Sequence, residues 1–177
     1  MANSENFLIS IVGRDQVGVV SEVTSYLFDT GANVADSSYA VLGQGFELSA
    51  VVTFGTAAST AEIETGLSEL ATLAGARVAI VPFDFDTTRG ATATISHTVE
   101  ITGGDRPGLI ARVSEVLMEY EANIVRMSSK RSIDEQSVAH YRTRFAICVA
   151  EDRVDALSAA LSNTAGSLRL NCTVEVV

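Results

Sequence analysis

"GRDQVGVVSEVTSYLFDTGANV", residues 13–34, begins as a glycine-bounded turn around an aspartate and continues as an apolar-periodic stretch that stops at Gly31 and Asn33. At a constant offset of 90 residues stands "GGDRPGLIARVSEVLMEYEANI", residues 103–124, and seven of the 22 aligned positions are identical. The matched pairs are Gly13/Gly103, Asp15/Asp105, Gly18/Gly108, Val23/Val113, Leu27/Leu117, Ala32/Ala122 and Asn33/Asn123. Unrelated segments of this length would share about one or two identities, so the pair marks an internal duplication. The chain reads as a tandem of two similar modules.

Working outward from the first copy, "NFLISIVG" is a short apolar run before the turn and predicts a strand. The following helix places Val20, Val23 and Leu27 on one stripe, widened by Val19 and Tyr26, and Gly31 closes it. From Asn33 alternation takes over, predicting strands "NVADSSYAVLG" and "GFELSAVVTF" joined by the hairpin "LGQGF". After the loop "GTAAST", Ile63, Leu67 and Leu70 fall at helical spacing, and "ARVAIVPFDFD" closes the unit as a strand. The second copy repeats the order with strands "TISHTVEITG", "ANIVRMSSKR", "AHYRTRFAICVA" and "SLRLNCTVEVV", helices near 107–121 and 152–165, and a longer polar hairpin, "SIDEQSV". Alternation there turns Tyr141, Thr143, Phe145, Ile147 and Val149 toward the helices and leaves Arg142 and Arg144 outward. The expected fold is α+β, two ferredoxin-like βαββαβ modules at 5–86 and 94–177. Each is a four-stranded antiparallel sheet with two helices on one face, and the linker runs from 85 to 93.

Composition narrows the function classes. The 177 residues are 47% apolar, enough for a core in each module. No stretch approaches a spanning helix, and the N-terminus lacks signal-peptide features, so a cytoplasmic location away from membranes is expected. Residues 1–90 hold 11 acidic against 3 basic side chains, net −8, and residues 91–177 hold 11 against 9, net −2. The sum of −10 opposes direct binding to nucleic acid, which needs clustered cations. Cys148 and Cys172 have no CxxC spacing and give no metal or disulfide framework.

The duplicated turns admit two readings. Asp15 and Asp105 can cap the helices that follow, accepting N–H bonds from the first turn, while Gly18 and Gly108 allow close packing on the sheet. The same geometry also suits a small zwitterion. A helix N-terminus attracts a carboxylate, an adjacent aspartate faces an ammonium group, and a glycine lets the ligand approach the backbone. Arg14 and Gln16 in the first turn, and Arg106 in the second, share that position. Asn33 and Asn123 are either helix-end residues in left-handed geometry or amides that donate to and accept from the ligand.

Strand, "GRDQVG" or "GGDRPG", helix, "ANV" or "ANI", strand, repeated within βαββαβ order, resembles the ACT domain, a regulatory module that binds amino acids. With two modules and no attached enzyme, the chain most resembles the glycine cleavage system transcriptional repressor family. The resemblance implies an amino acid held where paired ACT domains meet, and a protein partner that is a DNA-binding activator of one-carbon or glycine metabolism. The serine-sensing type has a turn reading His-x-Asn-x-Pro-Gly. Here Gly13 and Gly103 stand at the histidine position and Asp15 and Asp105 at the first asparagine, while Pro107 matches and Val17 departs.

Other readings carry less. An enzyme would have to use His97 or His140, and "GQGFEL" misses a dinucleotide fingerprint because Leu48 stands where the last glycine belongs. An RNA-binding module needs stacking aromatics on its third strand, where Leu48 and Ser49 stand. A ligand-free interaction scaffold is the alternative. The expectation is a non-enzymatic, homo-oligomeric regulator that senses an amino acid of the glycine or serine class, needs no cofactor and modulates a partner regulator. Its candidate ligand-binding residues are Arg14, Asp15, Gln16, Gly18, Asn33, Asp105, Arg106, Gly108 and Asn123.

Overall fold

The structure, a computed structural model, describes residues 5–54, 59–133, 137 and 139–177. The chain divides into two compact units, Met1–Thr87 and Thr88–Val177. The first contains β1 (Asn6–Arg14), α1 (Val19–Asp29), β2 (Asn33–Leu42), β3 (Gly45–Thr53), α2 (Thr60–Ser68) and β4 (Arg77–Pro82). The second contains β5 (His97–Gly104), α3 (Leu109–Glu119), β6 (Asn123–Ile133), β7 (Ala139–Cys148), α4 (Val154–Ser167) and β8 (Asn171–Val176). Each unit is a four-stranded antiparallel sheet, in the orders β2-β3-β1-β4 and β6-β7-β5-β8. The two units are thus α+β modules of the expected βαββαβ order.

Both helices of each unit cover one face of its sheet, because alternate strand residues are apolar. Ile9 and Ile11 of β1 and Phe46, Leu48, Ala50 and Val52 of β3 meet Val23 and Leu27 of α1 and Ile63 and Leu67 of α2 in one core. Val99, Ile101, Phe145 and Ile147 meet Val113, Leu117, Leu157 and Leu161 in the other. The buried stripe of α1 is Val19, Val23 and Leu27, not one led by Val20, which is 44% exposed. Position 20 lies about 100° further around the helix and falls on its flank.

In the second unit Thr143, Phe145 and Ile147 are fully buried and Val149 nearly so, as alternation predicts. Arg142 and Arg144 point the other way, where both pair with Glu100 of the neighbouring strand. Two of the expected connections fall partly outside the described residues: 55–58 of "GTAAST", and 134–136 and 138 of "SIDEQSV". Ser132 and Ile133 continue β6. Within the expected linker, Ala91–Ala93 form a 3-10 turn.

The first helix of each module ends alike. The N–H of Ala32 donates to the Leu27 carbonyl and that of Gly31 to Phe28, a Schellman closure with Gly31 at φ 72°. In the second module Ala122 donates to Leu117 and Glu121 to Met118, with Glu121 taking the left-handed position at φ 54°. An L-residue held there costs about 1 kcal/mol. Glu121→Gly should therefore raise the urea midpoint although it removes the exposed ion pair with Arg153. A lower midpoint would show the pair outweighing the backbone.

The helix–helix contact of the first module needs Gly66. A Cβ there would come within 2.6 Å of Tyr26 Cζ, so the phenol of α1 rests directly on the α2 backbone. Gly66→Ala should destabilise the first module by about 1–3 kcal/mol through overpacking. In a Tyr26→Val background the same change should be neutral or stabilising, because alanine is the better helix former. Additive effects of the two substitutions in urea unfolding would contradict this account.

Candidate functional site

The turns from β1 to α1 and from β5 to α3 share one geometry. Gly18 and Gly108 are the N-cap residues, in left-handed conformation at φ 99° and 79°, and no side chain caps either helix. The capping expected of Asp15 and Asp105 is therefore not made. The chain leaves the strand through three intervening residues before the cap, which sets the aspartate too far back to reach the first turn. Positive φ also replaces close packing as the reason for these glycines. A Cβ at Gly18 would find only Thr72 Cγ2, at 3.6 Å, and at Gly108 nothing within 4 Å.

Both carboxylates instead tie the turn to the module's second strand. Asp15 Oδ1 accepts a hydrogen bond from the Tyr39 phenol of β2 at 2.9 Å, and the Tyr39 ring stacks on Phe46 with centroids 5.6 Å apart. Asp105 Oδ2 lies 3.4 Å from Arg131 Nε of β6. The duplicated aspartate thus has one structural role met by two different partners. Neither partner was evident in the sequence; the inward parity of Tyr39 on its strand is the signal that could have found it.

The remaining turn residues divide. Arg14 and Arg106 are exposed. Gln16 Nε2 donates to the Thr72 carbonyl at 2.7 Å, and Glu22 accepts from the Thr72 hydroxyl at 2.6 Å and from its N–H at 3.1 Å. Those two bonds hold the Glu22 carboxyl below the ordinary glutamate range. Gln16, expected beside a ligand, is a latch onto the 3-10 turn Ala71–Leu73.

Gly13 and Gly103 explain the missing histidine. A Cβ on Gly13 would stand 2.8 Å from Ala76 Cβ, and one on Gly103 would overlap Leu170 Cδ2. The approach to each module's last strand fills the space that a larger residue would occupy.

The asparagines lie elsewhere. Neither Asn33 nor Asn123 is left-handed, correcting the helix-end reading; each opens a strand, two residues after the left-handed position at Gly31 or Glu121. Asn33 pairs with Thr53, which also pairs with Asn6, so it sits level with the start of β1. Asp15 follows Arg14 at the other end of that strand, about eight residues away. At about 3.4 Å per residue the two are separated by about 25 Å. In the second module Asn123 pairs with Cys148, beyond the His97 end of β5, while Asp105 follows Gly104. Asn123 Nδ2 donates to the Thr92 carbonyl at 2.8 Å. The turn and the asparagine of one module therefore cannot touch the same small molecule.

Comparison with known proteins agrees with this architecture. Two models described as ACT domain match residues 5–80 and 97–162. The chain belongs to the ACT domain family, with two such domains in tandem. No curated protein matches it in sequence. Among solved structures it is similar to an unknown protein from Galdieria sulphuraria, with 22% identity, 98% of each chain covered and a TM-score of 0.73. It is also similar to a protein assigned by name as a glycine cleavage system transcriptional repressor, with 17% identity, 98% of this chain and 97% of that one covered, and a TM-score of 0.69. These likenesses establish the shared tandem fold.

The Asp15–Tyr39 tie can be titrated. Desolvation, then the hydrogen bond to Asp15, pushes the Tyr39 phenol above its ordinary value. Its stabilising effect is fully present below the ordinary tyrosine range near pH ~10 and is lost as pH rises through the folded value. Asp15→Asn should bring one phenol back toward that range in ultraviolet difference titration, and Tyr39→Phe should remove the same component. A titration unaffected by Asp15→Asn would break the assignment.

Proposed function

We propose that this chain is a non-enzymatic regulatory protein that senses a small amino acid of the glycine or serine class and modulates a partner regulator of amino-acid metabolism. Its sensing units are the ACT modules at 5–86 and 94–177. The observation that carries the reading is the pair of helix N-termini left without a side-chain cap behind left-handed glycines. First-turn N–H groups have no intrahelical acceptor, and with the helix dipole they suit a ligand carboxylate. Asp15 and Asp105 stand at the same turns, each carrying a second carboxylate oxygen for an ammonium group. Membership in the ACT family, and likeness in fold to a protein bearing the repressor name, support the regulatory role.

The 25 Å separation shapes the proposal. An asparagine that completes a turn site has to come from another ACT module, and in this proposal that module belongs to a second chain, so that the sensor works as a homo-oligomer. Binding then alters association, and through it the protein partner, by a coupling of about 1–3 kcal/mol. A ligand-free interaction scaffold is the second reading, favoured by the partners that Asp15 and Asp105 already have in Tyr39 and Arg131.

The second turn should bind more tightly. Pro107 presets φ near about −65° at the helix entrance, Arg106 adds a cation, and its counterpart Gln16 is committed to Thr72. Calorimetry with glycine and L-serine should show affinity losses of about tenfold or more for Asp105→Ala and Asn123→Ala. Losses for Asp15→Ala and Asn33→Ala should be smaller. Lower stability in all four variants with no amino-acid binding by the parent protein would leave these residues structural and favour the scaffold.

A further inference from the structure

The two modules differ most where the first helix meets the end of the second. In the first, Glu22 reaches across to the hydroxyl and N–H of Thr72, and Tyr26 lies on Gly66, so the space between the helices is filled from α1. At offset 90 the second module has Arg112 in place of Glu22 and Val116 in place of Tyr26. There a cleft of about 400 Å³ opens, lined by Arg112, Glu115 and Val116 of α3 and by Thr164, Ser167 and Leu168 at the end of α4.

We propose that this α3–α4 cleft is a binding site for an α-amino acid with an aliphatic side chain, separate from the turns. The first module fills this place from α1, where the Glu22 carboxylate bonds the hydroxyl and N–H of Thr72. In the second, the Ser167 hydroxyl and the Leu168 N–H are both taken by the Thr164 carbonyl within the end of α4, so the charged groups of the cleft come from α3. In the second module Arg112 stands at the position of Glu22, with the Glu115 carboxylate beside it on the same helix. Arg112 there can receive a ligand carboxylate through two parallel N–H bonds. Its partner Glu115 is 3.9 Å away, and the two side chains are 70% and 63% exposed. Such a loose surface pair contributes little by itself and opens readily to admit a zwitterion. The ligand carboxylate then lies on Arg112 and its ammonium on Glu115. Its aliphatic chain rests on the half-buried Val116 and Leu168. The cleft volume is in the range of small-molecule sites.

The test uses the full chain, with L-leucine as the probe and backbone amide resonances as the readout. At millimolar leucine, saturable shifts are expected at residues 112–116 and 164–168. Arg112→Ala, a change at an exposed position, should weaken them about tenfold or more, as loss of a solvent-exposed charge-assisted pair of bonds implies. Val116→Tyr, which restores the first module's aromatic, should abolish them. The compound 4-methylpentanoate, which lacks the ammonium group, should bind about tenfold more weakly. The site is overturned if leucine moves no resonance in the cleft, or if the shifts are indifferent to Arg112→Ala and Val116→Tyr. Shifts lost instead in Asp105→Ala would locate the binding at the turn and also overturn it, whereas cleft binding that persists in Asp105→Ala stands whether or not the turns bind an amino acid.

Discussion

The register of the third strand against both of its neighbours, β3 in the first module and β7 in the second, is the constraint on which the rest of each module depends. Because Thr53 pairs with Asn6 on one side and Asn33 on the other, the start of β2 is level with the start of β1. The helix between them must then return the chain over the full length of the sheet, which α1 does with its 11 residues between two left-handed glycines. The reversal buries Val19, Val23 and Leu27 against the sheet. It also puts the turn and the asparagine at opposite ends, so Asp15 and Asn33, 18 residues apart in sequence, become distant in space. A small ligand that touched both would have to lie between two modules.

Duplication preserved this frame and let its fastenings diverge. Both modules keep a bulge two residues into the second strand, between Val34 and Asp36 and between Ile124 and Arg126. Both keep a carboxylate at the turn, bound by a phenol in one copy and a guanidinium in the other. The first copy locks its helices with Glu22–Thr72 and Tyr26–Gly66, whereas the second leaves a cleft between them. Divergence is concentrated where side chains bridge elements, because an internal bond can be replaced there without moving the sheet. The two modules can therefore have unequal ligand chemistry on one backbone.

The element order was legible from residues 13–34 and their copy, since helical and alternating periodicities follow from which side of each element meets the core. Gly13 and Gly103, Gly18 and Gly108 could be picked out as a turn by repetition alone. Periodicity does not say whether Val19 or Val20 heads the α1 stripe, because both are apolar and only the packed sheet distinguishes them. That Asp15 and Asp105 do not cap was not legible, because the sequence does not fix which residue takes the N-cap position; Gly18 and Gly108 take it, three residues further on.

By itself, then, the sequence determined the tandem βαββαβ organisation, the one-sided cores, and the acidic balance that opposes binding to nucleic acid. Those properties rest on local periodicity and composition, which a linear reading contains. Only the tertiary structure decided that Asp15 meets Tyr39, that Gln16 and Glu22 clasp Thr72, and that Asn33 lies a sheet's length from Asp15. These depend on strand register and on the angle at which helices cross the sheet, which bring together residues 24 to 56 positions apart and leave no periodic trace in the chain.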